Sequence, residues 1–161
     1  MNADEFSKIL GRILNFLAVK ERTRKEVEDK IDRIFRKDQE ISPEGIAEVK
    51  DKVFRYLEQD NLIDDLEYAK TFVSQQLKSK KPKSRLQMIK FLVQKGVARD
   101  FIDEALTQID LEFEIASAKK YLAKKIKTVK SGDHYKTRKK LFAYLASKGY
   151  SSEVINNVLP R

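Results

Sequence analysis

The sequence predicts an all-α protein: three tandem three-helix repeats forming an elongated, gently curved chain of modules. Three observations carry this expectation. Apolar residues recur at three- and four-residue spacing along most of the chain, the pattern of helices with one buried stripe. Glycine and proline are scarce, five and three in 161 residues, so the turn chemistry that hairpins need is missing. An internal repeat is visible as well. Ile41, Val97 and Tyr150 each precede a segment read as a short helix, and each is followed five residues later by isoleucine, at Ile46, Ile102 and Ile155. Modules of this size have little core of their own and gain stability by covering one another's apolar ends.

The elements follow in order. Phe6, Ile9, Leu10, Ile13, Leu14 and Leu17 mark a first helix over about residues 3–20. Thr23 stands three residues before Glu26, a capping-box pattern that starts a second helix carrying Val27, Ile31, Ile34 and Phe35. The polar run from Arg36 to Glu40 ends it. Ser42 and Pro43 supply a cap and a first helical residue for a third helix with Ile46, Val49, Val53, Phe54 and Leu57. Asp64 caps a fourth, whose buried side is Tyr68, Ala69, Phe72, Val73 and Leu77. Beyond Pro82, the series Leu86, Met88, Ile89, Leu92 and Val93 stops at Lys95-Gly96, where glycine accepts the left-handed conformation that closes helices. Ile102, Ala105, Leu106 and Ile109 mark a short sixth helix. A seventh, near 111–129, buries Ile115, Ala118, Leu122 and Ile126. The run from Lys130 to Asp133 is a loop. An eighth helix, through Leu141, Phe142, Tyr144 and Leu145, closes at Lys148-Gly149, and Ser151 caps a last one with Val154, Ile155, Val158 and Leu159. The module limits are set at 1–60, 61–110 and 111–161.

Composition narrows the function. The chain has no cysteine, which excludes disulfides, thiolate nucleophiles and cysteine metal sites. The acidic start lacks a secretory signal's basic flank, and no apolar run is long enough to span a membrane, so a cytoplasmic location is the default expectation. Catalysis is not expected. The one histidine, His134, cannot build a multi-histidine metal site, and no glycine-rich phosphate loop occurs. Asp64 and Asp65 are adjacent, so on a helix they point about 100° apart and make no preset acid–base pair. No cofactor is implied.

The charge is uneven. Residues 1–66 hold 13 Lys/Arg against 16 Asp/Glu, a net −3, whereas residues 67–161 hold 21 against 9, a net +12. An excess of this kind attracts polyanions, although lysine-rich solvated faces are also common in helical proteins. One basic cluster contains Lys81, Lys83 and Arg85, with no acid between positions 78 and 90. The second runs from Lys119 to Lys140 and includes Lys120, Lys124, Lys127, Lys130, Lys136, Arg138 and Lys139, with Asp133 its one acid. Lys120, Lys124 and Lys127 share a helical face separate from Ala118, Leu122 and Ile126. Lysine meets phosphate as a mobile point charge and reads bases poorly, which favours sequence-independent contact. Arg85 and Arg138 are the candidates for bidentate contacts; Tyr121, Tyr135 and Tyr144 lie among the basic residues where they could stack on bases, with Tyr144 read first as a core residue and Tyr135, after the loop, as the more open case.

The joint between the first two modules is more specific. It reads from Leu57 through Asp60-Asn61-Leu62-Ile63-Asp64-Asp65, then Tyr68-Ala69, then Phe72-Val73 and Leu77. This resembles the signature of bacterial RecX, the regulatory protein of the RecA recombinase, and Lys95-Gly96-Val97, Ile102 and Ala105-Leu106 are similar to its second module. The resemblance covers about residues 13–161. It implies three tandem three-helix repeats and binding along the RecA–DNA filament groove. It also implies restraint of ATP hydrolysis and strand exchange, with no cofactor. The expected partners are the RecA filament and single-stranded DNA, with double-stranded DNA a further candidate, and the expected state is a monomer with no membrane contact. Two other readings stay open on the residues alone: a freestanding sequence-independent nucleic-acid-binding protein, and a helical adaptor for another acidic protein.

Overall fold

The computed structural model describes residues 3–36, 42–129 and 133–160. Among them the chain is all α-helical apart from one 3-10 turn, with no strand. The helices are α1 (Ala3–Val19), α2 (Arg24–Phe35), α3 (Pro43–Gln59), α4 (Asp65–Lys78), α5 (Arg85–Gln94), α6 (Arg99–Ala105), α7 (Leu111–Ile126), α8 (His134–Ser147) and α9 (Ser152–Val158). The 3-10 turn, Leu106–Gln108, extends α6.

Local chemistry explains where the helices begin. Thr23 accepts from the Glu26 N–H while the Glu26 carboxylate accepts from the Thr23 N–H, which completes the expected capping box. Ser42 and Asp64 cap α3 and α4 through Gly45 N and Glu67 N. Ser84 forms a second full capping box with Gln87 at the start of α5. Asp110 and Asp133 cap α7 and α8, and Ser151 caps α9.

Three helices close in the same way. The backbone turns left-handed at Asn61 (φ 50°), Gly96 (φ 77°) and Gly149 (φ 86°). At each, the following N–H reaches five residues back: Leu62 to Leu57, Val97 to Leu92, Tyr150 to Leu145.

The apolar stripes collect into three separate cores. One joins α1, α2 and α3 around Ile13, Val27, Ile31, Val53 and Leu57. The next joins α4, α5 and α6 around Val73, Met88, Leu92, Ile102 and Leu106, with the Phe72 and Phe91 rings stacked 4.4 Å apart. The last joins α7, α8 and α9 around Ala118, Leu141, Leu145, Val154 and Ile155. Each is small, so part of the predicted stripe is left in solvent. Leu77, Leu86, Val93 and Ile126 were expected inside but are exposed. The helix preceded by Ile41 also differs from expectation. It is not short: α3 runs 17 residues against seven for α6 and α9. Ile41 itself lies outside the described residues, as do Lys37–Glu40 and the loop residues Lys130–Gly132.

The modules are coupled by one device used twice. The Thr23 hydroxyl that caps α2 donates to the Lys95 carbonyl at the end of α5, at 2.6 Å. The Ser84 hydroxyl that caps α5 donates to the Lys148 carbonyl at the end of α8, at 2.7 Å. Thus α2, α5 and α8 meet N-terminus to C-terminus, which places opposite dipole ends together and satisfies carbonyls that helix ends otherwise leave open. Approach is close: a Cβ on Gly96 would lie 2.4 Å from Lys25 Cβ. Around the first joint, Asp65 accepts from the Arg24 N–H at 2.8 Å and Lys95 Nζ pairs with Glu26 at 2.6 Å.

Candidate nucleic-acid interface

The site is built on α7. Asp110, Glu112 and Glu114 lie at its start and Lys124 and Lys125 at its end, charges that complement the helix dipole. Ala118 and Leu122 are buried in the third core and Ser117 under the segment 79–83, while Lys119, Lys120, Lys124 and Lys127 are exposed. Against this helix lies the segment 79–83. The Lys81 N–H donates to Ser79 Oγ, the Lys83 N–H to Gln76 Oε1, and Ser117 Oγ donates to the Pro82 carbonyl. Ser117 also meets the Tyr150 hydroxyl at 2.5 Å, and burial pushes that phenol up to about 12. The two basic clusters, separate in sequence, therefore adjoin where the second module meets the third.

Charge pairing differs between the two ends of the chain. In the first module and at its joint, cations meet carboxylates: Arg24 with Glu58, Lys50 with Asp32, Lys25 with Asp29, Lys95 with Glu26. Farther along, Lys70 pairs with Glu104 and Arg99 with Asp103. Among the described residues none of Lys119, Lys120, Lys124 and Lys127 has a carboxylate partner. Lys124 is held below the ordinary lysine range, first by the nearby Lys81 side chain.

Lys81 is exposed and Lys83 half-buried. Arg85 is occupied structurally: its Nη1 donates to the Leu106 and Ile109 carbonyls at 3.1 and 3.3 Å, closing the 3-10 turn. Arg138 donates to the Pro160 carbonyl. Lys136 and Lys139 are exposed on α8, and Lys130 lies outside the described residues. Of the tyrosines, Tyr121 tilts against Tyr150 inside the third module. Tyr144 packs on that core with Lys125 and Lys148 over its ring, at 5.1 and 5.5 Å. Tyr135 is 73% exposed and is the one open stacking surface of the three.

The signature residues have structural employment. Asp64 caps α4 and Asp65 ties α4 to α2. Burial pushes the Asp65 carboxyl up, against the pull of Arg24. Ala69 and Val73 are fully buried, Phe72 stacks on Phe91, and Tyr68 packs on the second core. Beside Tyr68 a cleft of about 220 Å³ opens between Leu17 and Leu62, with Glu21, Asp64 and Glu67 on its rim. Among the described residues no cluster of His, Cys, Asp or Glu could hold a metal, and no helix is long and apolar enough to cross a membrane.

Residues 64–106 match the second three-helix domain of RecX, and residues 112–159 match the third. A regulatory protein RecX from Chlorobium phaeobacteroides is 36% identical over 152 residues, covering 94% of this chain and 91% of the relative. The chain belongs to the RecX family. A RecX protein from Clostridium beijerinckii is 33% identical, covering 99% of this chain and 70% of its own length. In three dimensions the chain is similar to a crystal structure of regulatory protein RecX. The TM-score is 0.82 at 27% identity, covering 97% of this chain and 73% of that one. For RecX from Lactobacillus salivarius the TM-score is 0.75 at 26% identity, covering 98% and 96%. These relatives are regulatory proteins by name, and the RecX arrangement of three-helix modules is the one described above.

Proposed function

We propose that this chain binds the RecA–DNA filament as a monomer and restrains the recombinase's ATP hydrolysis and strand exchange. Membership of the RecX family supports a regulatory role. The observation that carries the mode of action is the unpaired lysine face of α7, continued by Lys81 at the second joint. Cations left without carboxylates suit a polyanion whose phosphates repeat along a line, and the row of modules offers them along a line. The first module, where Arg24, Lys25 and Lys50 meet carboxylates, faces protein. Its cleft at the first joint, with Leu62 exposed and acids on the rim, suits an apolar segment flanked by basic side chains.

The test is RecA-catalysed, single-stranded-DNA-dependent ATP hydrolysis, measured with increasing amounts of the chain and in matched samples without recombinase. A concentration-dependent fall in hydrolysis is expected. Unchanged hydrolysis, with no association with the filament across a range of salt, removes the assignment.

A second reading is favoured by the makeup of the α7 face, which presents lysine without arginine, asparagine or glutamine. Such a face contacts phosphates without reading sequence and could act on nucleic acid without a recombinase. Equal affinity for bare DNA and for the filament would favour that reading.

A further inference from the structure

We propose that Lys81 and Lys124 form a two-module seat for a single backbone phosphate of a nucleic-acid strand. It rests on the nucleic-acid half of the function proposed above and deepens it by naming the contact.

The geometry comes from both sides of the second joint. On the second module, the segment 79–83 is pinned at three points. Gln76 Oε1 accepts from Lys83 N–H at 3.0 Å, Ser79 Oγ accepts from Lys81 N–H at 3.1 Å, and the Pro82 carbonyl accepts from Ser117 Oγ at 3.3 Å. Lys81 therefore starts from a fixed backbone. On the third module, Ser117 and Lys124 are seven residues apart on α7 and share a face, so the contact that anchors Pro82 also aims the segment at Lys124. The anchored segment and α7 thus bring the two side chains to one side of the joint, where Lys81 is the first group acting on Lys124. Each ammonium is a donor without an acceptor lone pair, so neither satisfies the other.

Two like charges brought together at an exposed joint repel, a cost that water reduces and that an anion between them removes. Lys81 is the first group acting on Lys124, and no carboxylate acts on it. A phosphate supplies several acceptor oxygens and negative charge, and it can take one donor from each lysine. Because the lysines belong to different modules, the same phosphate ties α7 to the 79–83 segment. Lys120 and Lys127, on the same face of α7, then meet the neighbouring phosphates of the strand.

The test uses the full chain and a fluorescent oligothymidine, with affinity measured across a salt series for Lys81→Ala, Lys124→Ala and the double variant. Each single change is expected to weaken binding about fivefold to tenfold and to flatten the salt dependence by about 0.7 in log–log slope, one phosphate's worth on a single strand. The double variant is expected to lose clearly less than the product of the two, because either change destroys the shared seat. In contrast, Lys124→Ala with Lys127→Ala should multiply. Losses that multiply for Lys81 and Lys124, or an unchanged salt slope, overturn the seat. Lysine-selective NMR gives a second reading. The Lys124 ammonium should titrate at higher pH after Lys81→Ala, and also in the wild-type chain once the oligothymidine is added; no movement in either case overturns it. RecA ATP hydrolysis run alongside separates the two ideas. If the wild-type chain slows it while Lys81 and Lys124 act independently, the seat falls and the recombinase reading stands. If hydrolysis is untouched while the two lysines remain coupled on the oligothymidine, the recombinase reading falls and the seat stands.

Discussion

Thr23→Val removes one oxygen and keeps the shape of a fully buried side chain, so it isolates the first inter-module bond. Two interactions go together. The Glu26 N–H loses its cap, worth about 1 kcal/mol for a typical helix start. The Lys95 carbonyl loses its 2.6 Å donor inside the joint, which costs about 1–3 kcal/mol because a valine methyl shields the carbonyl from water without donating to it. The expected total is about 2–4 kcal/mol. Ser42→Ala is the control: Ser42 caps α3 at an exposed position, accepting from Gly45 N–H, and its loss should cost about 1 kcal/mol. Urea unfolding followed by circular dichroism gives both numbers by linear extrapolation. In a chain of small cores the joint also carries cooperativity, so a lowered m-value in Thr23→Val would report the first module melting apart from the rest. If Thr23→Val costs no more than Ser42→Ala with m unchanged, the Thr23–Lys95 bond does not couple the modules.

Gly96→Ala should be worse than a helix-end substitution in open space. It combines a left-handed backbone with a Cβ driven onto Lys25, for about 2–4 kcal/mol in the same unfolding assay, whereas Gly11→Ala, with no atom within 4 Å of the new carbon, should be neutral or stabilising. Tyr150→Phe should cost about 1 kcal/mol by removing the buried hydroxyl contact to Ser117, read as a lowered urea midpoint. Stability should also fall in acid through Glu26. Burial pushes this carboxyl up, but Lys95, the Thr23 N–H and Arg22 together outweigh it and hold the group below its ordinary 4.5. A depressed carboxylate stabilises the fold above its unfolded value and loses that contribution as pH falls through the folded one. Glu26→Gln should therefore flatten the pH dependence of stability below 4.5, and an unchanged profile would contradict the pairing.

The capping residues Thr23, Ser42 and Asp64 are readable in the sequence because cap chemistry is local, and so are the glycines that end α5 and α8. Ser84 was readable in the same way, since Gln87 stands three residues on, but the surrounding lysines and Pro82 drew the segment toward charge. What Thr23 and Ser84 do beyond their own helices was not readable. Their partners lie 72 and 64 residues away, and no periodicity links a hydroxyl to a carbonyl at that distance. Leu77, Leu86, Val93 and Ile126 obey the helical period yet remain exposed, because a three-helix core is too narrow to cover a full stripe. The length of α3 was present in Val49, Val53 and Leu57, which carry the period well past a short helix. The lysine face of α7 follows from three- and four-residue spacing. Its neighbour Lys81 does not, because that approach depends on how two modules dock. Arg85 was a reasonable phosphate candidate by residue type, but the open carbonyls of Leu106 and Ile109 engage it first.

The α7 lysine face is proposed to meet the DNA-bearing filament. This contact is tested most directly by co-sedimentation of the chain with preformed RecA–single-stranded-DNA filaments, comparing the wild type with Lys124→Glu/Lys127→Glu. Both positions are solvent-facing, so unfolding midpoints should agree and any loss is a loss of contact. Saturable wild-type binding that weakens with salt is expected, with at least a tenfold loss, about 1.4 kcal/mol, in the reversed variant. Equal binding by the two proteins at every salt concentration would contradict it.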